Sequence, residues 1–153
     1  MATQVRAKAK NLYDDDFYVW TEAQAALLRE RRFEALDLAN LIEEVEALGR
    51  SEKSKVLNTV SVIVEHLLKL QHSPAQEPRN DWRASVREHR RRLRRNLTPR
   101  PRQILGGDLP ALYDEIRDDT AALLRDHGED AAADALPATC PYTVEQITGD
   151  WWP

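Results

Sequence analysis

The amino-acid sequence predicts an all-α protein, a bundle of about five helices followed by a C-terminal tail of short helical turns packed across it. Glycine is scarce, with 5 in 153 residues, whereas alanine, leucine, glutamate and arginine, all good helix formers, are abundant. Apolar residues recur every three or four positions along five segments, as expected for helices with one buried face. No segment reads as a strand with a partner, which excludes a sheet.

Composition and charge narrow the class of protein further. Hydrophobic residues are 42% and charged residues 31%, which is typical of a globular chain, and the length suits a single helical domain over residues 1–153. Within it we expect residues 1–12 to be flexible and residues 128–153 to form the tail. One cysteine excludes an internal disulfide. No apolar leader or membrane-spanning run occurs, which predicts a cytoplasmic protein without membrane contact.

The first two predicted helices are delimited by charge and by glycine. The first begins near Asp14–Asp16, whose carboxylates suit a helix N-terminus, and ends at the basic run 29–32. The second begins after Asp37, a suitable N-cap residue, and ends at Gly49.

The third predicted helix runs from Ser51 to about Gln71. Its stretch TVSVIV is β-branched and by itself resembles a strand. Apolar residues nevertheless hold one helical face for four turns, which favours helix: Val56, Val60, Ile63, Leu67 and Leu70.

A fourth helix is predicted after the prolines at 74 and 78, with an apolar stripe formed by Trp82, Val86, His89, Leu93 and Leu97. Two prolines and two glycines predict a loop over residues 99–107. The fifth helix then begins after Asp108, with Pro110 in its first turn, and ends at Gly128.

The last 25 residues predict one or two helical turns and an extended end. The terminal Trp151–Trp152 pair is expected to pack back on the bundle. The alternative is a docking peptide for a partner, because such aromatic residues concentrate at interfaces.

A helical wheel separates the acidic residues of the second helix. Its predicted buried stripe consists of Leu38, Leu41, Ile42, Val45 and Leu48. Glu43 lies opposite that stripe and is expected to face water. Glu44 flanks the stripe, on the same side as Asp37 and Asn40.

The same wheel places one polar residue beside the apolar face on each of three predicted helices: Glu44, His66 and Arg90. We therefore predict that these three residues meet at a helix–helix boundary and form a polar cluster. Asp37 and Glu43 are weaker candidates for the same cluster. Arg90 would bind or orient an anion, Glu44 would be its counter-ion, and His66 would titrate. The structural alternative is that such partly buried ion pairs only lock helix register.

Charge is distributed unevenly along the chain. Residues 79–102 contain ten arginines and two acids, a net charge of +8, so the other 129 residues carry −12. Helix 83–95 could bind nucleic acid, but arginine surrounds most of it and no aromatic residues interleave to stack bases. We expect these arginines to be solvated or to pair with an acidic surface on the fifth helix formed by Asp114, Glu115, Asp118 and Asp119.

Several motifs, in order, resemble a bacterial family called domain of unknown function twenty-nine: YDDDFYVW, ALDLANLIEEVEALG, EHLLK, the Trp82–Val86–Arg90 spacing and CPYT. The likeness spans Tyr13 to about Ile147. It implies an all-helical domain, and it supplies no activity that can be carried over to this chain. The hallmark positions that it implies are Asp16, Trp20, Leu36, Asp37, Leu41, Glu43, Glu44, His66, Leu67, Leu68, Lys69, Trp82 and Arg90.

Three functions remain open, and the first is favoured. It is a non-enzymatic interaction or regulatory module that binds a protein partner or forms a homo-oligomer through basic-on-acidic contacts weakened by salt. The second is nucleic-acid binding through helix 83–95. The third is a metal-dependent enzyme with a site between helices. Three histidines on different helices could serve as its metal ligands, but no Glu-x-x-His pair occurs. Neither a metal nor a cofactor is therefore predicted.

Overall fold

A computed structural model describes residues 12–153, and this part of the chain is mostly helical with no strand, which confirms the predicted fold class. Residues 1–11, most of the segment predicted to be flexible, lie outside the described range. The elements are α1 (Phe17–Arg29), a 3-10 turn (Phe33–Ala35), α2 (Leu38–His72), α3 (Arg79–Asn96), α4 (Pro99–Asp126), α5 (Asp130–Asp134) and α6 (Val144–Thr148).

The chain divides into two compact units, Met1–Ser51 and Glu52–Pro153. The boundary falls inside α2, which therefore contributes residues to both. The N-terminal unit contains α1, the 3-10 turn and the start of α2. The C-terminal unit contains the rest of α2 and all later elements.

Helix α1 begins where its charges predict. The carboxylate of Asp16 accepts a hydrogen bond of 3.1 Å from the backbone N–H of Val19, which satisfies one of the free donors of the first turn. Only Trp20 and Gln24 of this helix are buried. They contact the start of α2, as described below.

The predicted break at Gly49 is wrong, because α2 is one helix of 35 residues. Gly49 and Ser51 are exposed helical residues. A glycine inside a helix costs only about 1 kcal/mol relative to alanine, and strong helix formers on both sides outweigh that cost. The described residues thus contain four long helices where the sequence predicts five. The TVSVIV stretch is helical, as predicted.

The core of the C-terminal unit combines α2, α3, α4 and the tail. Its side chains are aliphatic or tyrosine, and most are less than 5% exposed. The members are Val56, Val60, Ile63, Val64, Leu67, Leu68, Val86, Leu93, Leu105, Leu109, Tyr113, Ile116, Tyr142 and Ile147.

The predicted loop over 99–107 is also wrong, since α4 begins at Pro99 and continues to Asp126. Proline fits the first turn of a helix, where the missing N–H has no partner in any case. Gly106 and Gly107 are exposed helical positions, and Pro110 lies inside the helix instead of in its first turn. The buried face formed by Leu105 and Leu109 keeps the helix intact through these residues.

The tail forms two short helices, as predicted. Helix α6 has a reciprocal cap, in which the Thr143 hydroxyl accepts from the Gln146 N–H and the Gln146 side chain accepts from the Thr143 N–H. Trp152 packs against the main core, which confirms the expectation for that residue, whereas Trp151 lies next to Tyr142 and is 36% exposed. Across residues 12–153, every helix is too short or too polar to cross a membrane.

Candidate functional site

Arg90 on α3 fastens the C-terminal segment to the bundle. Its side chain is only 3% exposed, which confirms that it is the arginine nearest the apolar stripe of its helix. Its Nε–H donates to the Ile147 carbonyl at 2.9 Å, and Nη2 donates to the carbonyls of Gln146 and Trp151, each at 2.7 Å. One guanidinium thus satisfies three carbonyls at and beyond the C-terminal end of α6, where free carbonyls collect.

The same arginine forms part of an open cavity of about 330 Å³, which we call the arginine pocket. The guanidinium carbon of Arg90 lies 5.0 Å from the ring centroid of Trp152, a cation–π distance. The other arginines of the pocket come from the same face of α3, at intervals of three and four residues. The lining residues are Arg87, Arg90, Arg91, Arg94, Asp150 and Trp152.

The arginine pocket carries a formal charge of +3, from four arginines and one aspartate. Arg94 forms an ion pair with Asp150. Arg87 and Arg91 make no hydrogen bond or ion pair with any side chain of the described range, although both line the cavity. Burial lowers the pKa of Arg90 from its ordinary value, yet arginine stays charged at neutral pH. The pocket is therefore a strongly positive concavity with two guanidinium groups free to bind.

The acidic surface predicted on the fifth helix does not neutralise these arginines. Within residues 12–153, the acids that pair with arginines of α3 are Glu88, one turn along the same helix, and Asp150 in the tail. Asp118 pairs instead with its neighbour Arg117. Of the two expectations, pairing with that acidic surface is not observed within residues 12–153, and the exposed arginines of α3 are left to solvent or to a ligand.

A buried polar cluster in the N-terminal unit centres on Asp37, which is 7% exposed. Its carboxylate accepts from Trp20 Nε1 at 3.2 Å and from Asn40 Nδ2 at 2.7 Å. Its backbone N–H donates to Gln24 Oε1 at 2.9 Å. Together these bonds join α1 to the start of α2. Gln24 Nε2 is buried with no hydrogen-bond partner in the described structure.

The side-chain partner of Glu44 is a tyrosine of the same unit, whereas the sequence predicts an arginine as its counter-ion. The hydroxyl of Tyr13 donates to Glu44 Oε1 at 2.5 Å. This bond, followed by partial burial and the charge of Glu44, raises the pKa of Tyr13 to about 12. Glu43 faces water, as predicted, and accepts from Arg50 Nη2 at 2.7 Å.

The helices that carry the residues of the predicted polar site differ from the predicted ones. Glu44 and His66 lie on the same continuous helix, about six turns apart, and not on two helices that meet at a boundary. Within the described range, no hydrogen bond or ion pair joins His66 to Arg90. The Nδ1–H of His66 donates to the Val62 carbonyl of its own helix at 2.8 Å. The merged helix explains the error, because the predicted turn at Gly49 would have reversed the chain between them.

The stripe predicted to be the buried face of the second helix is largely exposed. Leu41 is partly buried, but the other four members are between 50% and 67% exposed. We call this surface the apolar seam; it consists of Leu38, Leu41, Ile42, Val45 and Leu48. Such a run of aliphatic side chains on one helical face is unusual on the surface of a monomer.

The comparison with protein families identifies the family of the chain. The family model described as Domain of unknown function DUF29 matches residues 12–152. The chain belongs to the DUF29 family. None of the curated proteins and none of the solved structures matches it.

Several hallmark positions that the resemblance implied occupy defined places in this DUF29 domain. Trp20, Leu36 and Asp37 are buried in the N-terminal unit, and Arg90 is buried against the tail. The partners of these residues could not be identified from spacing alone. The backbone carbonyls that bind Arg90 carry no sequence signal, whereas the Gly-Asp-Trp-Trp end of the tail was a recognisable aromatic motif.

Burial shifts the ionisation of Cys140 and His66 in the DUF29 domain. Burial raises the pKa of the Cys140 thiol, so this side chain stays protonated at neutral pH. Burial likewise lowers the pKa of His66. Among residues 12–153, no three histidine, cysteine or carboxylate side chains are placed to share a metal ion. His89 donates to the Ser85 carbonyl of its own helix at 2.8 Å.

Proposed function

We propose that this DUF29 protein is a non-enzymatic helical interaction module, and that its apolar seam binds the same seam of a second copy. The observation that carries the proposal is the exposure of Leu38, Ile42, Val45 and Leu48. Their exposure is difficult to explain in a monomer, because water contact with large aliphatic groups is unfavourable.

The spacing of the seam suits a helical partner. Leu38 and Val45 are seven residues apart, as are Leu41 and Leu48, and the two pairs are offset by three. This is the a and d pattern of helices that pack side by side over two heptads. Antiparallel contact of two copies would place Leu38 opposite Leu48 and Leu41 opposite Val45. A two-fold dimer of this kind is the commonest symmetric assembly.

The charges beside the seam allow two copies to approach. Arg50 donates to Glu43 and lies 3.9 Å from Glu46, and Glu44 is occupied by the Tyr13 hydroxyl. Arg50 thus partly neutralises Glu43 and Glu46 within each copy, which reduces repulsion between identical surfaces.

The expected association is moderate in strength. Full burial of a large aliphatic side chain contributes about 1.5–3 kcal/mol, so half-exposed side chains add about 1 kcal/mol each, or on the order of 8 kcal/mol over two copies. Loss of translational and rotational freedom offsets much of this. We therefore expect a dimer that dissociates on dilution and not a permanent one.

The test is light scattering over a range of protein concentrations. We expect a mass approaching twice 17.6 kDa for the wild type at high concentration, and a monomer for Val45→Glu. Leu123→Glu introduces the same charge at another exposed apolar residue, on α4, and should leave association unchanged. Val45 is 61% exposed, so its substitution should not prevent folding.

The dependence of association on salt concentration distinguishes contact through the apolar seam from contact through opposite charges. Contact through the seam should persist or strengthen in high salt, since apolar burial is not screened. A dimer that dissociates in salt and tolerates Val45→Glu would indicate basic-on-acidic contact and would overturn the seam proposal. A wild-type monomer at every concentration would overturn both.

A further inference from the structure

We propose that the arginine pocket is a binding site for the phosphate group of a small phosphomonoester. This inference is independent of the apolar seam. It rests on the convergence of Arg87, Arg90, Arg91 and Arg94 on one cavity whose remaining walls are Asp150 and Trp152.

The free guanidinium groups of the pocket suit a phosphate dianion. Arg87 and Arg91 lie one turn apart on α3, are exposed, and have no side-chain partner within the described range. Side chains four residues apart on a helix are neighbours, and bidentate binding of phosphate oxygens is the interaction that guanidinium groups make best. The formal charge of +3 favours a dianion over a neutral or singly charged ligand.

Arg90 is held in place by the fold, because three backbone carbonyls fix its guanidinium against the tail. Arg94 forms an exposed ion pair with Asp150 at the same cavity. Arg90 does not need to be ordered when a ligand arrives, so less side-chain entropy is lost on binding. Because Asp150 and Trp152 belong to the tail, the pocket exists only when the tail is docked.

The size of the cavity favours an organic phosphate over a polymer. Its volume of about 330 Å³ lies at the lower end of small-molecule sites. Trp152 supplies an apolar surface for the organic part of a ligand. A nucleic-acid surface would instead need a row of cations matched to successive phosphates, whereas these four arginines line one small cavity.

The test is phosphorus NMR titration of the full chain with inorganic phosphate, adenosine monophosphate and glucose 6-phosphate. We expect saturable binding of both phosphomonoesters with a Kd below about 1 mM at physiological salt, tighter than for inorganic phosphate. Replacing the two free arginines in Arg87→Gln/Arg91→Gln should weaken phosphomonoester binding at least about tenfold, because each loses a charged hydrogen bond.

A charge-matched variant provides the control. Arg83→Gln/Arg95→Gln removes the same charge from two exposed arginines of α3 that do not line the cavity, and it should bind phosphomonoesters within about twofold of the wild type. Equal weakening in both double variants would show diffuse electrostatic attraction and would overturn the proposal. So would absence of saturation by either phosphomonoester up to about 10 mM.

A third arm uses a random-sequence single-stranded RNA. If the RNA binds more tightly than the phosphomonoesters and both double variants weaken it equally, α3 is a nucleic-acid surface and the pocket proposal is wrong. If RNA binding is weak and the phosphomonoesters bind as described, the proposal stands.

Discussion

The Nε–H of Arg90 donates a 2.9 Å hydrogen bond to the carbonyl oxygen of Ile147, a residue 57 positions later in the chain. Two further bonds from the same guanidinium reach Gln146 and Trp151. This one side chain therefore links the most basic helix of the protein to its C-terminal end. It also positions Trp152 beside the arginine pocket.

We expect Arg90→Ala to lower the free energy of unfolding by about 3 kcal/mol, because three carbonyls lose a charged donor. Arg90→Lys should recover only part of that loss, since an ammonium group lacks the guanidinium fork. Arg91→Ala removes an exposed arginine from the neighbouring position and should change stability by less than about 0.5 kcal/mol. Urea unfolding measures all three, and an Arg90→Ala loss no larger than that of Arg91→Ala would contradict the anchoring role.

Gly149 should be far less tolerant of alanine than Gly106. A Cβ at position 149 would lie 2.7 Å from the backbone carbonyl oxygen of Glu145, so the end of α6 would have to move. A Cβ at Gly106 meets nothing within 4 Å. We expect Gly149→Ala to destabilise by about 1–3 kcal/mol and Gly106→Ala to stabilise by about 0.5–1 kcal/mol. Thermal unfolding of the two variants provides the comparison, and equal effects would contradict it.

Stability should fall in acid through His66. Burial is the main cause that lowers the pKa of this imidazole below 6.5, so the unfolded chain binds a proton more readily than the folded chain. Stability from this residue is complete above pH 6.5 and is lost as the pH falls through the lower folded value. His66→Gln should reduce the difference in unfolding free energy between neutral and acid pH. An unchanged pH dependence would show that His66 does not titrate in this range.

Stability should also fall in alkali through Tyr13. Its hydrogen bond to Glu44 raises its pKa from 10.0 to about 12. The neutral phenol is therefore favoured in the folded chain, and its contribution is present below pH 10 and lost between pH 10 and about 12. Ultraviolet absorbance of tyrosinate measures this titration. Tyr13→Phe should remove one tyrosine that titrates near pH 12. If the variant instead loses a tyrosine that titrates near pH 10, the Tyr13–Glu44 contact is contradicted.

Secondary-structure type was predictable from the sequence, but the ends of the helices were less so. The periodic apolar residues identified a helix correctly even in the β-branched stretch near Val60. A long segment with one continuous apolar face outweighs the local preference of its residues for a strand. Gly49 and Pro99 were misread as breaks. A glycine or an early proline is a modest local cost, and packing along the rest of α2 and α4 exceeds it.

The burial of single polar residues was predictable only where the helical face was right. Arg90 was correctly placed next to the apolar face of α3, and Glu43 correctly faced water. The Tyr13 partner of Glu44 was not predicted. The predicted break at Gly49 changed which segments could be expected to meet. The exposure of Val45 could not be foreseen either, since an apolar stripe has the same spacing whether it packs on its own chain or on another.

The distance between two copies labelled beside the apolar seam tests the central claim most directly. A nitroxide attached to Glu46→Cys in a Cys140→Ser background places one label per copy at an exposed position next to the seam. If two seams pack together, pulsed electron resonance should give a single narrow distance within about 30 Å, because packed helix axes lie about 10 Å apart. Val45→Glu should abolish that distance. A decay without any dipolar modulation in the unmodified seam, at concentrations where light scattering reports a dimer, would contradict the account.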